Sequence, residues 1–219
     1  MGLVTPGFHL VDVRNDEALS YNSTGVAKLY GTPDAVLWYA RLLPGMEIPA
    51  HTHGDVEDDA LILSGSLSYP VSPGQEYTVG AGRWLVARPG EFHGYLNRTS
   101  RATTMLLFTP VVTPVPPGRS TSRIYTRVHQ PMGEPRPRLT LYETDTSRGE
   151  LIGLRPGERV PANGVRFAAA FCLDGRIMCL MKNDKLAIEA SEGVCLVHTP
   201  CELVGASGMS TVALFSTLF

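Results

Sequence analysis

Short apolar runs recur along the chain, and each ends in residues that favour turns. AVLWYARLL (35–43), ALILSGSLSYPV (60–71), RWLVA (83–87) and TTMLLFTPVV (103–112) lie in the first half. RLTLYE (138–143), RIMCLM (176–181), GVCLVH (193–198) and STVALFSTLF (210–219) lie in the second. Their length and their β-branched or aromatic content read as strands. PG, SG, SPG, GAG, RPG and DG punctuate them. Many short strands between Gly/Pro turns predict an all-β sandwich or barrel. One stretch, RNDEALSYN (14–22), suits a short helix.

Two proline-rich stretches interrupt the pattern, TPVVTPVPPGRSTS (109–122) and PMGEPRPR (131–138). Proline removes ladder donors and resists helices, so both read as connectors. An internal repeat places a boundary near them. LLPGMEIPAHTH from residue 42 parallels GLRPGERVPANGV from residue 153, with Pro44-Gly45 over Pro156-Gly157 and Ile48 over Val160. GRWLVARPGEFH (82–93) parallels GVCLVHTPCELV (193–204), with Gly82 over Gly193 and Pro89 over Pro200. The expected division is residues 1–125 and 126–219.

The 219 residues carry a net charge of −2, with 43% hydrophobic and 18% charged residues. That composition supports a sizeable core. No basic stripe exists, so nucleic acid is not expected as a partner. No apolar run approaches a membrane span, and the first residues lack the pattern of a secretory signal. A cytoplasmic protein is therefore expected. Cys172, Cys179, Cys195 and Cys201 form no C-x-x-C pair and read as reduced, buried thiols.

Candidate chemistry concentrates in the first half. His51-Thr-His53 follows a Pro-Gly turn, and on a strand both rings would project into one space. Asp55, Glu57, Asp58 and Asp59 follow, and His93 comes after the Pro89-Gly90 turn. Three imidazoles and a carboxylate suit one divalent first-row metal: iron, manganese, nickel, copper or zinc. Fewer than six protein ligands leave positions open. His9, His129 and His198 read as structural. Strand alternation puts Ala60, Ile62 and Ser64 in step with Asp58, and Tyr95 and Asn97 in step with His93. Trp38, Ile62 and Tyr95 are the expected substrate-lining residues, a mostly apolar or aromatic wall. Asn97 is expected to tie a turn.

At these residues the sequence resembles the cupin superfamily. The first family motif, G-x5-H-x-H-x(3,4)-E-x6-G, is matched in spacing by Gly45, His51, His53, Asp58 and Gly65, with Asp where the family usually has Glu. The second, G-x5-P-x-G-x2-H-x3-N, is matched by Gly82, Gly90, His93 and Asn97, with Arg88 in the proline's place. The resemblance implies two tandem antiparallel jelly-roll barrels, a bicupin similar to quercetinase-like and other small-molecule tailoring cupins. It implies His51, His53, Asp58 and His93 as metal ligands in the first barrel, with Glu57 the alternative acid. In the second half His51 falls on Asn163, His53 on Val165, His93 on Val204 and the acid near Ala168–Ala170. That barrel is expected to be degenerate and to serve as scaffold.

Three functions follow as expectations. The first is a dioxygenase-type oxidoreductase acting on a small metabolite, with the acid left unbound, Glu57 or Asp58, as catalytic base. The second is a redox-neutral cyclase, isomerase or lyase of secondary metabolism that uses the metal as Lewis acid. The third is a non-catalytic small-molecule binder. Pairing through exposed edge strands makes a homodimer the assembly to look for.

Overall fold

The computed structural model describes residues 7–111, 123–125, 138–162 and 166–218. Most of both proline-rich connectors, and Asn163 and Val165, lie outside the described residues. The strands are β1 (Gly7–Asp12), β2 (Val26–Gly31), β3 (Ala35–Leu42), β4 (Glu47–His51), β5 (Asp58–Ser64) and β6 (Ser66–Ser72). Next come β7 (Gln75–Gly80), β8 (Trp84–Ala87), β9 (His93–Leu96), β10 (Thr103–Pro110) and β11 (Arg123–Tyr125). The last are β12 (Leu139–Glu143), β13 (Ser147–Leu154), β14 (Arg159–Ala162), β15 (Phe167–Leu180), β16 (Lys185–Glu189), β17 (Glu192–Val197) and β18 (Cys201–Thr217). The protein is all-β, and its strand pairs are antiparallel. The stretch expected as a helix is reduced to one 3-10 turn, Asp16–Ala18. No helix among the described residues is long and apolar enough to cross a membrane.

The chain divides into two compact units. Residues 19–128 form a jelly roll of two sheets, ordered β11-β8-β5-β10-β3-β2 and β4-β9-β6-β7. Apart from the hairpins β2–β3 and β6–β7, neighbours in each sheet are distant in sequence, as the crossovers of a jelly roll require. Between the sheets lies one apolar cluster, with Leu42, Ile62, Leu67, Tyr69, Leu85, Tyr95 and Met105 buried in it. Alternation explains the membership: positions 60 and 62, 67 and 69, and 105 and 107 each point inward from one strand. Burial of such side chains contributes about 1.5–3 kcal/mol each.

The other unit comprises residues 1–18 and 129–219. Its sheet runs β1-β17-β15-β18-β13-β12, with β14 on β18 and β16 on β15. β15 and β18 are long because each crosses a bend, marked in β15 by register shifts around Asp174 and Arg176. The first half of β15 pairs β17 and the second pairs β16. The strand orders of the two units thus correspond: β15 spans the places of β5 and β6, and β18 those of β9 and β10.

The expected boundary needs one correction. A division at 125/126 places residues 7–12 in the first barrel, yet β1 pairs β17. The Val13 amide donates to Ser191 O (3.0 Å), and Arg14 bridges to the buried Glu192 carboxylate (2.6 Å). A free edge on β17 satisfies the ladder of the N-terminal strand better than sequence neighbours that are already paired.

Candidate metal centre

β4 and β9 are neighbours in the smaller sheet, and they bring His51 opposite His93. Ile48 pairs Tyr95, but two residues separate Ile48 from His51 where one separates Tyr95 from His93. The extra residue is a bulge around Pro49, which re-aims His51 at the strand end. His53 lies beyond the strand, and its carbonyl accepts from the Gly90 amide at 2.6 Å. Gly90, at φ +83°, makes the turn that places this donor. Gly94 separates His93 from Tyr95 for another reason: a Cβ there would sit 2.8 Å from Ala50 Cα. The two ligand-bearing strands approach too closely for any side chain between them.

Asp58 opens β5 and faces the same interior. One ligand atom from each of His51, His53, Asp58 and His93 lies within 4.8 Å of the other three. The ring centroids of His51 lie 4.5 Å from those of both His53 and His93. His93 Nε2 stands 3.1 Å from Asp58 Oδ2, and His51 Nε2 stands 2.8 Å from His53 Nε2. His93 and Asp58 are buried, whereas His51 and His53 are half-buried.

The outer ring nitrogens determine the tautomers. His51 Nδ1 lies 2.6 Å from Pro49 O, and His93 Nδ1 lies 3.0 Å from Glu91 O. A carbonyl only accepts, so each Nδ1 carries the proton. That turns Nε2 of His51 and His93 toward the shared centre, the orientation typical of metal-binding imidazoles. Burial lowers the proton affinity of His53, and the neighbouring imidazoles add to this against the pull of Asp58. For His93 burial acts in the same direction, but the Asp58 carboxylate outweighs it and raises the value. The donor set fits a divalent cation: three imidazoles and one carboxylate, whose second oxygen, Asp58 Oδ1, is buried without a partner.

Between the two candidate acids, Asp58 is the one that the cluster takes in. Glu57 is also buried, but lies outside the group of four, and its charge adds to the burial that raises the Glu91 carboxyl. Trp38, Ile62 and Tyr95 share one interior cluster, with Ile62 and Tyr95 buried and Trp38 partly so. The Trp38 indole N–H donates to Thr109 Oγ1 at 3.0 Å. Asn97 does tie a turn, donating to Leu42 O and Arg101 O, both at 2.7 Å, and accepting from the Thr99 amide. Two residues were not anticipated. Glu91 is buried and accepts from the Arg88 amide at 2.8 Å through its carboxylate. Tyr69 packs on Tyr95 with ring centroids 5.6 Å apart. The alternation Leu67, Tyr69, Val71 carried the signal for Tyr69.

In the other unit the strand pairing corrects one correspondence. Ile48 pairs Tyr95 as Val160 pairs Leu203, so His93 corresponds to Cys201 and not to Val204. Ala87 pairs Asp58 as Leu196 pairs Ala168, so from these partners five residues precede His93 where four precede Cys201, and Gly82 over Gly193 is itself out of register by two. By the same test Asp58 corresponds to Ala168, through Asp59 opposite Phe108 and Ala169 opposite Phe215. All four cysteines are free and buried, as expected.

No family model and no curated protein sequence matches the chain. Solved structures do. Protein Ylba from E. coli superposes with a TM-score of 0.78 at 13% identity, over 98% of this chain and 93% of that one. A Cupin 2 conserved barrel domain protein from Leptotrichia buccalis gives 0.70 at 11%, over 98% of both chains. A salicylate 1,2-dioxygenase from Pseudaminobacter salicylatoxidans gives 0.73 at 13%, over 96% of this chain and 84% of that one. These likenesses establish a cupin fold.

Proposed function

We propose that this cupin-fold chain is a metal-dependent enzyme acting on a small, mostly apolar or aromatic metabolite, with dioxygenase-type oxidation as its reaction. The observation that carries the reading is the convergence of three inward-facing Nε2 atoms and one carboxylate, with backbone carbonyls holding the Nδ1 protons of His51 and His93. In this reading His51, His53, Asp58 and His93 hold one divalent ion: iron, manganese, nickel, copper or zinc. Such an ion supplies Lewis acidity and open coordination positions for exogenous ligands.

The chain's own residues would do the rest. Pro49 O and Glu91 O would hold the Nδ1 protons of two imidazoles and keep their Nε2 atoms aimed at the centre. The ring of Trp38 and the side chain of Ile62 give an apolar wall that excludes water and favours an aromatic face. Glu57, next to the cluster but outside it, is the acid proposed to accept a proton from the substrate. That a salicylate 1,2-dioxygenase shares the fold supports small aromatic hydroxy acids as the first substrates to try.

The test begins with elemental analysis of the purified protein. One redox-active metal per chain is expected. A panel of aromatic hydroxy acids is then incubated under isotope-labelled dioxygen, and label should enter the product. Turnover without label or oxygen uptake would replace oxidation by redox-neutral chemistry. Absence of any bound metal after reconstitution would end the enzymatic reading.

A further inference from the structure

Among the described residues of the first unit, Asp58 Oδ1, Tyr69 Oη and Tyr95 Oη are buried without a hydrogen-bond partner. Tyr69 and Tyr95 are 0% exposed, and Asp58 is 6% exposed. Tyr95 lies two residues beyond His93 on β9. Ser68 pairs Leu96, which seats Tyr69 beside Tyr95. The Tyr95 ring lies 6.3 Å from the ring of His93, whose Nε2 stands 3.1 Å from Asp58 Oδ2. An unpaired buried polar group is costly. A bridging water needs room, and these atoms have almost no accessible surface. Yet the groups are complementary, for a carboxylate oxygen accepts and a phenol both donates and accepts.

We propose that Tyr69, Tyr95 and Asp58 close into a hydrogen-bonded chain when the centre is loaded. Tyr69 donates to Tyr95 Oη, and Tyr95 donates to Asp58 Oδ1. The chain holds the carboxylate so that Oδ2 alone faces the imidazoles, where it already stands 3.1 Å from His93 Nε2. Tyr95 is thus a positioning residue, and Tyr69 supports it. An aspartate is one methylene shorter than a glutamate and has less slack, so its orientation needs a partner on the second oxygen. Hydrogen bonds to ligating carboxylates serve this purpose at metal sites.

This inference rests on the metal-centre reading above, and one experiment separates the two. Cobalt(II) affinity and the visible spectrum are measured for the wild type, Tyr95→Phe, Tyr69→Phe and the double variant. Tyr95→Phe should weaken cobalt binding about 10–100-fold and shift the cobalt bands. Tyr69→Phe should cost less, and should add nothing to Tyr95→Phe because the two act in series. Thermal midpoints of the metal-free variants should equal or exceed the wild type's, since each change removes an unpaired buried hydroxyl. Unchanged affinity and spectrum in Tyr95→Phe would overturn the chain while leaving the metal centre standing. A loss of affinity matched by a fall in the metal-free midpoint would also overturn it, as a packing defect. A wild type that binds no cobalt overturns both.

Discussion

At His51 and His93 the backbone decides which nitrogen carries the proton, and that choice turns two ordinary imidazoles into inward-facing donors. Replacing both His51 and His53 with Ala should therefore abolish metal retention, read by elemental analysis, with the far-ultraviolet circular dichroism spectrum unchanged. Both rings are only half-buried, so their loss leaves little cavity. Asn97 is a different case. Its buried amide satisfies two carbonyls and one amide of the turn that follows β9. Asn97→Ala should cost about 1–3 kcal/mol, measured by urea unfolding. The residue types were legible in the sequence, because H-x-H, an acid and a His after a Pro-Gly turn keep their spacing. The choice of Asp58 over Glu57 was not, since adjacent acids are told apart only by where β5 begins.

Elements matter here through register. The bulge around Pro49 lets His51 face His93 although Ile48 already faces Tyr95. Deleting Ala50 would remove the bulge that re-aims His51 and pull His53 away from the Gly90 turn that holds its carbonyl. The expected result is a folded protein that binds metal at least tenfold more weakly, measured by cobalt titration. Gly94→Ala tests the same contact from the other strand. Its Cβ would meet Ala50 Cα at 2.8 Å, so β4 and β9 must separate. A loss of about 1–3 kcal/mol is expected from such overpacking, together with weaker metal binding. Strand positions were readable wherever apolar runs were dense, as at 83–87 and 103–112. β13 and β16 are not legible in the sequence, because charges and glycines interrupt the alternation in Ser147–Leu154 and charges bound the short run in Lys185–Glu189.

On the scale of the molecule, two units share one strand order, and one of them holds the donor cluster. In the other, Ala168 stands in the place of Asp58 and Cys201 in that of His93, both within an apolar core. One metal ion per chain is therefore expected, and Cys201→Ala should leave that stoichiometry at one by elemental analysis. The sequence alone determined the class of fold, the repeat and the three imidazole donors, because side-chain alternation and turn chemistry are local properties of the chain. The tertiary structure alone decided where β1 pairs, which residue answers His93, which acid joins the imidazoles, and that Tyr69 stands beside Tyr95 and Asp58. These depend on bulges, loop lengths and open sheet edges, which bring together residues far apart in sequence.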